Sequence, residues 1–157
     1  MDDFKADFKP EWIKVKLNSL GIKYAQKLGA ALAKNYMTTS QIRNVYSEVK
    51  RIQATMKGIS LTESTTEEHK LKVDLKMDKA YRSFLLLSPK VAYAARRGGG
   101  RGIELFQKEF DKMYTAVADC AEHNGELKGK LFKDAFWRFC DLFEAVLAFH
   151  KASGGRD

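Results

Sequence analysis

The chain has 157 residues, about one domain's worth, enough for a sizeable core without disulfides or metal, which argues against a multidomain enzyme. Hydrophobic residues make up 45% and charged residues 31%, with ten Phe, six Tyr and two Trp, so the composition is globular and not disordered. With 28 Lys and Arg against 20 Asp and Glu, the formal charge is +8, which favours a polyanionic partner, nucleic acid ahead of an anionic membrane surface.

The expected elements run as helices. From about Glu11 to Lys34, Leu20, Tyr24, Leu28, Ala31 and Leu32 recur every three or four residues and predict one amphipathic helix. A second begins at Thr38 or Thr39, where Thr38-Thr39-Ser40-Gln41 fits a capping box, and buries Ile42, Val45, Tyr46, Val49 and Ile52 before fading by Gly58. The polar run from Ile59 to Thr66 reads as a surface loop closing on a second box, Thr65-x-x-Glu68. A third helix then carries Val73, Met77, Ala80, Tyr81, Phe84 and Leu87 inward, and Pro89 kinks or interrupts it before Val91 to Ala95 resume.

Residues 96–102, Arg-Arg-Gly-Gly-Gly-Arg-Gly, read as a flexible basic loop. The fourth helix, from about Ile103 to His123, aligns Phe106, Phe110, Met113, Tyr114 and Val117 and ends at Asn124-Gly125. The fifth, from about Glu126 to Ala152, has a very wide apolar face that includes Phe132, Phe136, Phe139 and Phe143, as expected of a central or interface helix, with part of that face covered by another copy or another subunit. No alternating strand signal competes. The expectation is an all-α bundle of about five helices in a single domain spanning 1–157, with 1–10 flexible.

The charge is unevenly placed. Residues 1–33 hold six basic and four acidic side chains, residues 34–101 fourteen and six, and residues 102–157 eight and ten, so the middle owns the excess. From Lys79 to Ile103 there are six basic residues (Lys79, Arg82, Lys90, Arg96, Arg97, Arg101) and no acid, an anion-binding footprint. On the second helix Arg43, Ser47, Lys50, Ala54 and Lys57 fall three or four apart with Arg51 beside them, a face along which a phosphate backbone can run, although any amphipathic helix has a charged outer face. Tyr93, between Lys90 and Arg96, is the aromatic best placed to stack on a base; Tyr81, Trp12 and Trp137 are weaker candidates, and Trp137 reads as core or interface.

Catalytic and metal signals are weak. Cys120 and Cys140 form no CxxC pair, which fits a reducing compartment, and Cys120-x-x-His123 lacks third and fourth ligands. His69 reads as a loop or first-turn residue, and His150 as a late-helix residue that complements the helix dipole. Asp74 and Asp78 sit among Lys70, Lys72, Lys76 and Lys79 and read as a salt-bridged solvated face. No GxxxxGK[ST] loop is present, so nucleotide hydrolysis is not expected. No enzyme activity, cofactor or metal is expected. The acidic N-terminus is unlike a secretory leader, and no apolar run approaches the ~20 residues of a membrane span, so a soluble cytoplasmic protein without a membrane partner is expected.

Two segments in order, Thr38-Thr39-Ser40-Gln41-Ile42-Arg43-Asn44-Val45-Tyr46-Ser47-Glu48-Val49-Lys50-Arg51-Ile52 and Leu85-Leu86-Leu87-Ser88-Pro89-Lys90-Val91-Ala92-Tyr93-Ala94-Ala95-Arg96-Arg97, resemble the small helical Csm subunit of type III-A CRISPR effector complexes. The second block departs from the family at Ala95-Arg96-Arg97, where Ala-Gly-Arg is the pattern. The resemblance implies an antiviral-defence protein: a non-catalytic RNA-binding subunit stacked beside the backbone subunits, lining the groove that holds guide RNA paired with target RNA. Target-RNA cleavage would then belong to the backbone subunit, and DNA cleavage and cyclic oligoadenylate synthesis to the large subunit. It carries an RNA-contact expectation to Arg43, Lys50, Arg51, Lys90 and Arg97, to which charge alone adds Arg96 and Arg101. Implied partners are guide RNA, target RNA, the backbone and large Csm subunits and other copies of the chain. The alternative is a helix-turn-helix DNA-binding regulator with Asn35-Tyr36-Met37 as its turn; a purely structural interaction bundle leaves the acid-free stretch unexplained.

Overall fold

The computed structural model describes residues 4–59 and 66–156. Its elements are α1 (Glu11–Lys14), α2 (Ser19–Lys34), α3 (Thr39–Lys57), α4 (Glu67–Leu85), α5 (Leu87–Gly98), α6 (Arg101–Ala121), a two-residue antiparallel ladder of β1 (Glu122–His123) and β2 (Glu126–Leu127), and α7 (Gly129–Ala152). The fold is an all-α bundle, as expected. The helix count differs because two expected helices are each divided. Asn18 opens α2 with its side-chain oxygen accepting from the Leu20 and Gly21 amides, so the first expected helix becomes a single turn followed by a long helix. Leu20, expected inside, is exposed, and the buried stripe of α2 is Gly21, Tyr24, Ala25, Leu28, Gly29 and Leu32.

The second division falls at Leu86. Pro89 sits in the first turn of α5, where a missing N–H is tolerated. The carbonyl its N–H would have served, that of Leu85, accepts instead from the Tyr114 hydroxyl at 3.2 Å. The capping box at Thr38 forms in full: Thr38 Oγ1 accepts from the Gln41 amide at 3.1 Å, and Gln41 Oε1 accepts from the Thr38 amide at 2.9 Å. The second box lies partly outside the described residues, as do Thr65 and most of the expected loop; the cap of α4 is Thr66, whose Oγ1 accepts from the His69 amide. The short ladder, absent from the sequence reading, turns at Asn124 (φ 54°) and Gly125 (φ 77°), two left-handed residues that close a two-residue hairpin.

Helix α7 is the axis. It packs against α1, α2, α3, α4 and α6, and Phe132, Phe136, Phe139, Leu142, Phe143 and Val146 are all buried within their own chain. Much of the width of the apolar stripe thus reflects neighbours within the chain, while Trp137, Leu147 and Phe149 at its flanks are half-buried and Leu131 is exposed. Phe84 of α4 sits within the ring cluster, 5.6–6.0 Å from Phe132, Phe136 and Phe139. At Gly29 the backbones of α2 and α7 approach so closely that a Cβ would lie 2.7 Å from the His150 amide nitrogen and 2.8 Å from the Val146 oxygen. One buried hydrogen bond crosses from α2 to α6: Glu109, 1% exposed, accepts from the Tyr24 hydroxyl at 2.8 Å and, within α6, from Lys112 Nζ at 2.8 Å. Burial first, and then the Glu109 charge and hydrogen bond, push the Tyr24 hydroxyl far up from its ordinary range, so it stays a donor.

The N-terminal segment also packs. Phe8 is buried against Trp12 and Tyr24, and Phe4 lies edge-on to Tyr24, so from Phe4 onward the expected loose arm is part of the core. At the other end, the Thr39 amide donates to the Arg156 carbonyl at 2.7 Å, holding the C-terminal residues against the start of α3. His150 is fully buried beneath them, its Nε2 2.6 Å from the Met37 carbonyl oxygen. It lies in the last turn of α7, as expected, and is also an interior pin between α7 and the α2–α3 turn.

Candidate nucleic-acid interface

The α2–α3 turn is a Schellman motif: the Met37 amide donates to the Leu32 carbonyl and the Tyr36 amide to the Ala33 carbonyl. The motif forces Tyr36 to φ 66°, a left-handed conformation that costs an L-residue roughly 1–2 kcal/mol. Gly102, at the start of α6, docks on this turn; a Cβ there would lie 2.6 Å from the Met37 nitrogen and 2.8 Å from the Asn35 oxygen. Sequence alone gave this glycine to a loop. The docking fixes the end of α5 and the start of α6 beside α3, and the break between them shrinks to Gly99 (φ 63°) and Gly100 (φ 106°). Arg96 and Arg97 belong to the last turn of α5, and Arg101 to the first of α6.

The flank of α3 beside these elements is a groove of three joined depressions. The middle one, about 380 Å³, lies between Gln41, Asn44 and Glu48 of α3 and Lys90, Tyr93 and Arg97 of α5, over a floor that includes Val45, Leu87 and Val91. Through Gln41 and Gly98 it opens into a depression of about 590 Å³ bordered by Lys34, Tyr36, Gly99, Gly100 and Arg101. Through Glu48 and Lys90 it meets one of about 300 Å³ that reaches Arg51, Thr55 and Lys79. From Thr38 to Thr55 this is roughly 25 Å of helix at 1.5 Å per residue. Six cations line it, Lys34, Arg51, Lys79, Lys90, Arg97 and Arg101, against a single acid, Glu48.

Glu48 engages two of the six. One carboxylate oxygen accepts from Arg51 at 2.9 Å and the other faces Lys90 Nζ at 3.6 Å, which ties α3 to α5. Arg97 and Arg101 have no acidic partner among the described residues, so their charge is open to an anion. Arg51, Lys90, Arg97 and Arg101 of the expected contact set therefore converge. Arg43 and Arg96 are exposed but line none of the three depressions. Lys50 lies on the opposite flank of α3, donating to Gln53 at 2.9 Å and standing 5.9 Å over the ring of Tyr46, which stacks on Phe143 of α7. There it faces acids: burial and the Glu144 charge raise the Asp141 carboxyl, and Lys50 opposes that shift. The even spacing of Arg43 and Lys50 along α3 places neither on the groove, because helical periodicity fixes a face but not which neighbour borders it.

Tyr93 lies on the groove as expected and is 66% exposed. Trp12 and Tyr81 are buried, and Trp137 is half-buried under Lys133. Lys79, counted in the anion-binding footprint, lines the groove as well, and Tyr36 and Lys34 are lining residues that sequence reasoning missed; an Asn-Tyr pair between two amphipathic helices was the one local sign of a left-handed turn at Tyr36.

The remaining polar groups offer little chemistry. His123 Nε2 lies 3.2 Å from the Cys120 carbonyl oxygen, a backbone contact rather than a thiol–imidazole pair. Burial raises both the Cys120 and Cys140 thiols, the reverse of nucleophile activation. Lys70 and Lys72 pair with Glu67 and Glu68 one turn earlier, not with Asp74 or Asp78. Among the described residues no group of three His, Cys, Asp or Glu side chains is arranged to hold a metal, and no helix is long and apolar enough to cross a membrane.

These features define a small all-helical protein with one extended cationic groove. The chain belongs to the Csm2 Type III-A family, whose model matches residues 15–156. It is a small subunit of the type III-A CRISPR Csm complex, assembling with other Csm subunits, in a family of structural rather than known catalytic proteins. Comparison with curated proteins and with solved structures yields no match.

Proposed function

We propose that this subunit holds RNA without cutting it, and that the phosphates of the guide RNA/target RNA pair lie along the groove beside α3. The observation that carries the reading is a row of three adjoining depressions lined by six cations and one acid, in which Arg97 and Arg101 have no acidic partner among the described residues. Arg51 and Lys90 would exchange Glu48 for phosphate, and Lys50 and Arg96 would take no direct part. Neighbouring backbone and large subunits, and further copies of this chain, would continue the groove along the assembly and supply the catalytic steps. The regulator alternative fits the geometry poorly: the N-terminus of α3, which would have to enter a DNA major groove first, is held by the Arg156 carbonyl and crowded by Gly102 on the adjoining turn.

The test compares two double variants of equal charge change in the assembled complex. Arg97→Ala with Arg101→Ala should weaken RNA binding regardless of sequence and lower the salt slope by about two units, roughly one per lost phosphate contact. Lys50→Ala with Arg96→Ala should leave the slope within about half a unit. Equal losses in the two would assign the effect to net charge and place the RNA elsewhere.

A further inference from the structure

Tyr36 is 88% exposed, its hydroxyl has no hydrogen-bond partner and its ring meets no other ring among the described residues. The turn it occupies favours glycine or asparagine, either of which takes a left-handed φ at less cost. The fold thus gains nothing from the side chain and is strained by it, which is the pattern of a residue kept for a purpose outside folding.

The surroundings say what that purpose is. Tyr36 borders two depressions at once, one shared with Gly99, Gly100 and Arg101 and the other with Gly154 and Arg156. An arginine therefore lines each of the two depressions that the exposed ring borders, and the glycines beside it let a ligand backbone approach closely. Neither arginine has an acidic partner among the described residues. Cationic groups flanking an aromatic face is how single-stranded nucleic acid is held: each base has a π face to stack, and the phosphates on either side are neutralised.

We propose that Tyr36 is a stacking platform for an unpaired base of an RNA strand leaving the groove, with Arg101 and Arg156 binding the phosphates on its two sides. This rests on the RNA reading above and adds a base-recognition element to what is otherwise a backbone contact. Tyr93, the other exposed tyrosine on the groove, is a second platform of the same kind, on the far side of Arg97.

The experiment measures anisotropy of two labelled single-stranded RNA probes of equal length, an oligoadenylate and a strand of abasic riboses, with the full chain at low salt. Tyr36→Gly should weaken oligoadenylate binding about tenfold and abasic binding less than twofold, while Tyr36→Phe keeps both. Tyr36→Gly should also melt no lower than the parent, since it relieves the left-handed strain. Arg97→Glu with Arg101→Glu should weaken both probes. If that variant does so while Tyr36→Gly leaves both unchanged or lowers both equally, the stacking proposal fails and the RNA reading stands. If neither set of substitutions alters binding, or the parent binds neither probe, both fail.

Discussion

Helices α7 and α3 both carry apolar stripes, the wider on α7, and end in opposite environments. α7 is packed by five other helices, so Phe132, Phe136, Phe139 and Phe143 are enclosed; α3 buries Ile42, Val49, Ile52 and Met56 on one side and leaves its other flank to form the wall of a cationic groove. The number of neighbours a helix has, which the width of its apolar stripe follows, decides whether it serves the core or presents a surface. Core and groove should therefore respond separately to substitution.

The largest expected effect is at the axis. Phe136→Ala removes a fully buried ring that meets Phe84, Phe132 and Phe139, and should cost about 3–5 kcal/mol, read by calorimetry or urea unfolding. RNA affinity of the remaining folded fraction should be unchanged; a cost below about 1 kcal/mol would mean that α7 is not the centre of the bundle. Tyr24→Phe comes next. It leaves Glu109, 1% exposed, with Lys112 alone, and should cost about 1–3 kcal/mol in the same assay. A neutral result would show that Lys112 and water suffice for that carboxylate.

Glu48→Gln sharpens the comparison from the groove side. The ion pairs it removes are largely solvent-exposed on their basic partners, so the stability change should stay within about 1 kcal/mol. RNA affinity should rise severalfold, because Arg51 and Lys90 are released to phosphate; a fall in affinity would mean that Glu48 positions these two cations rather than competing for them. The smallest effect belongs to Arg43→Ala. Arg43 is exposed and borders none of the three depressions, so unfolding should shift by about 0.5 kcal/mol or less and the salt slope should hold. A clear loss of slope would extend the RNA track over the outer face of α3.

What the sequence by itself determined is what short-range physics encodes. The capping box at Thr38 and Gln41 forms as its four residues dictate, Pro89 interrupts the α4–α5 run, and the surplus of positive charge between residues 34 and 101 is a matter of composition. Helical class followed from periodicity, and family resemblance from two short blocks. The tertiary structure decided which charges meet. Lys34, Lys79 and Arg101 join Arg51, Lys90 and Arg97 because Gly102 packs on the α2–α3 turn and draws α6 and α5 alongside α3. Packing around α7 turns Lys50 toward that helix, encloses most of its aromatic face within the chain, and buries His150 under the C-terminal residues. Caps and periodicity act over a few residues of one helix, whereas a groove is a relation between helices far apart in the chain, fixed by backbone approaches that no local pattern records.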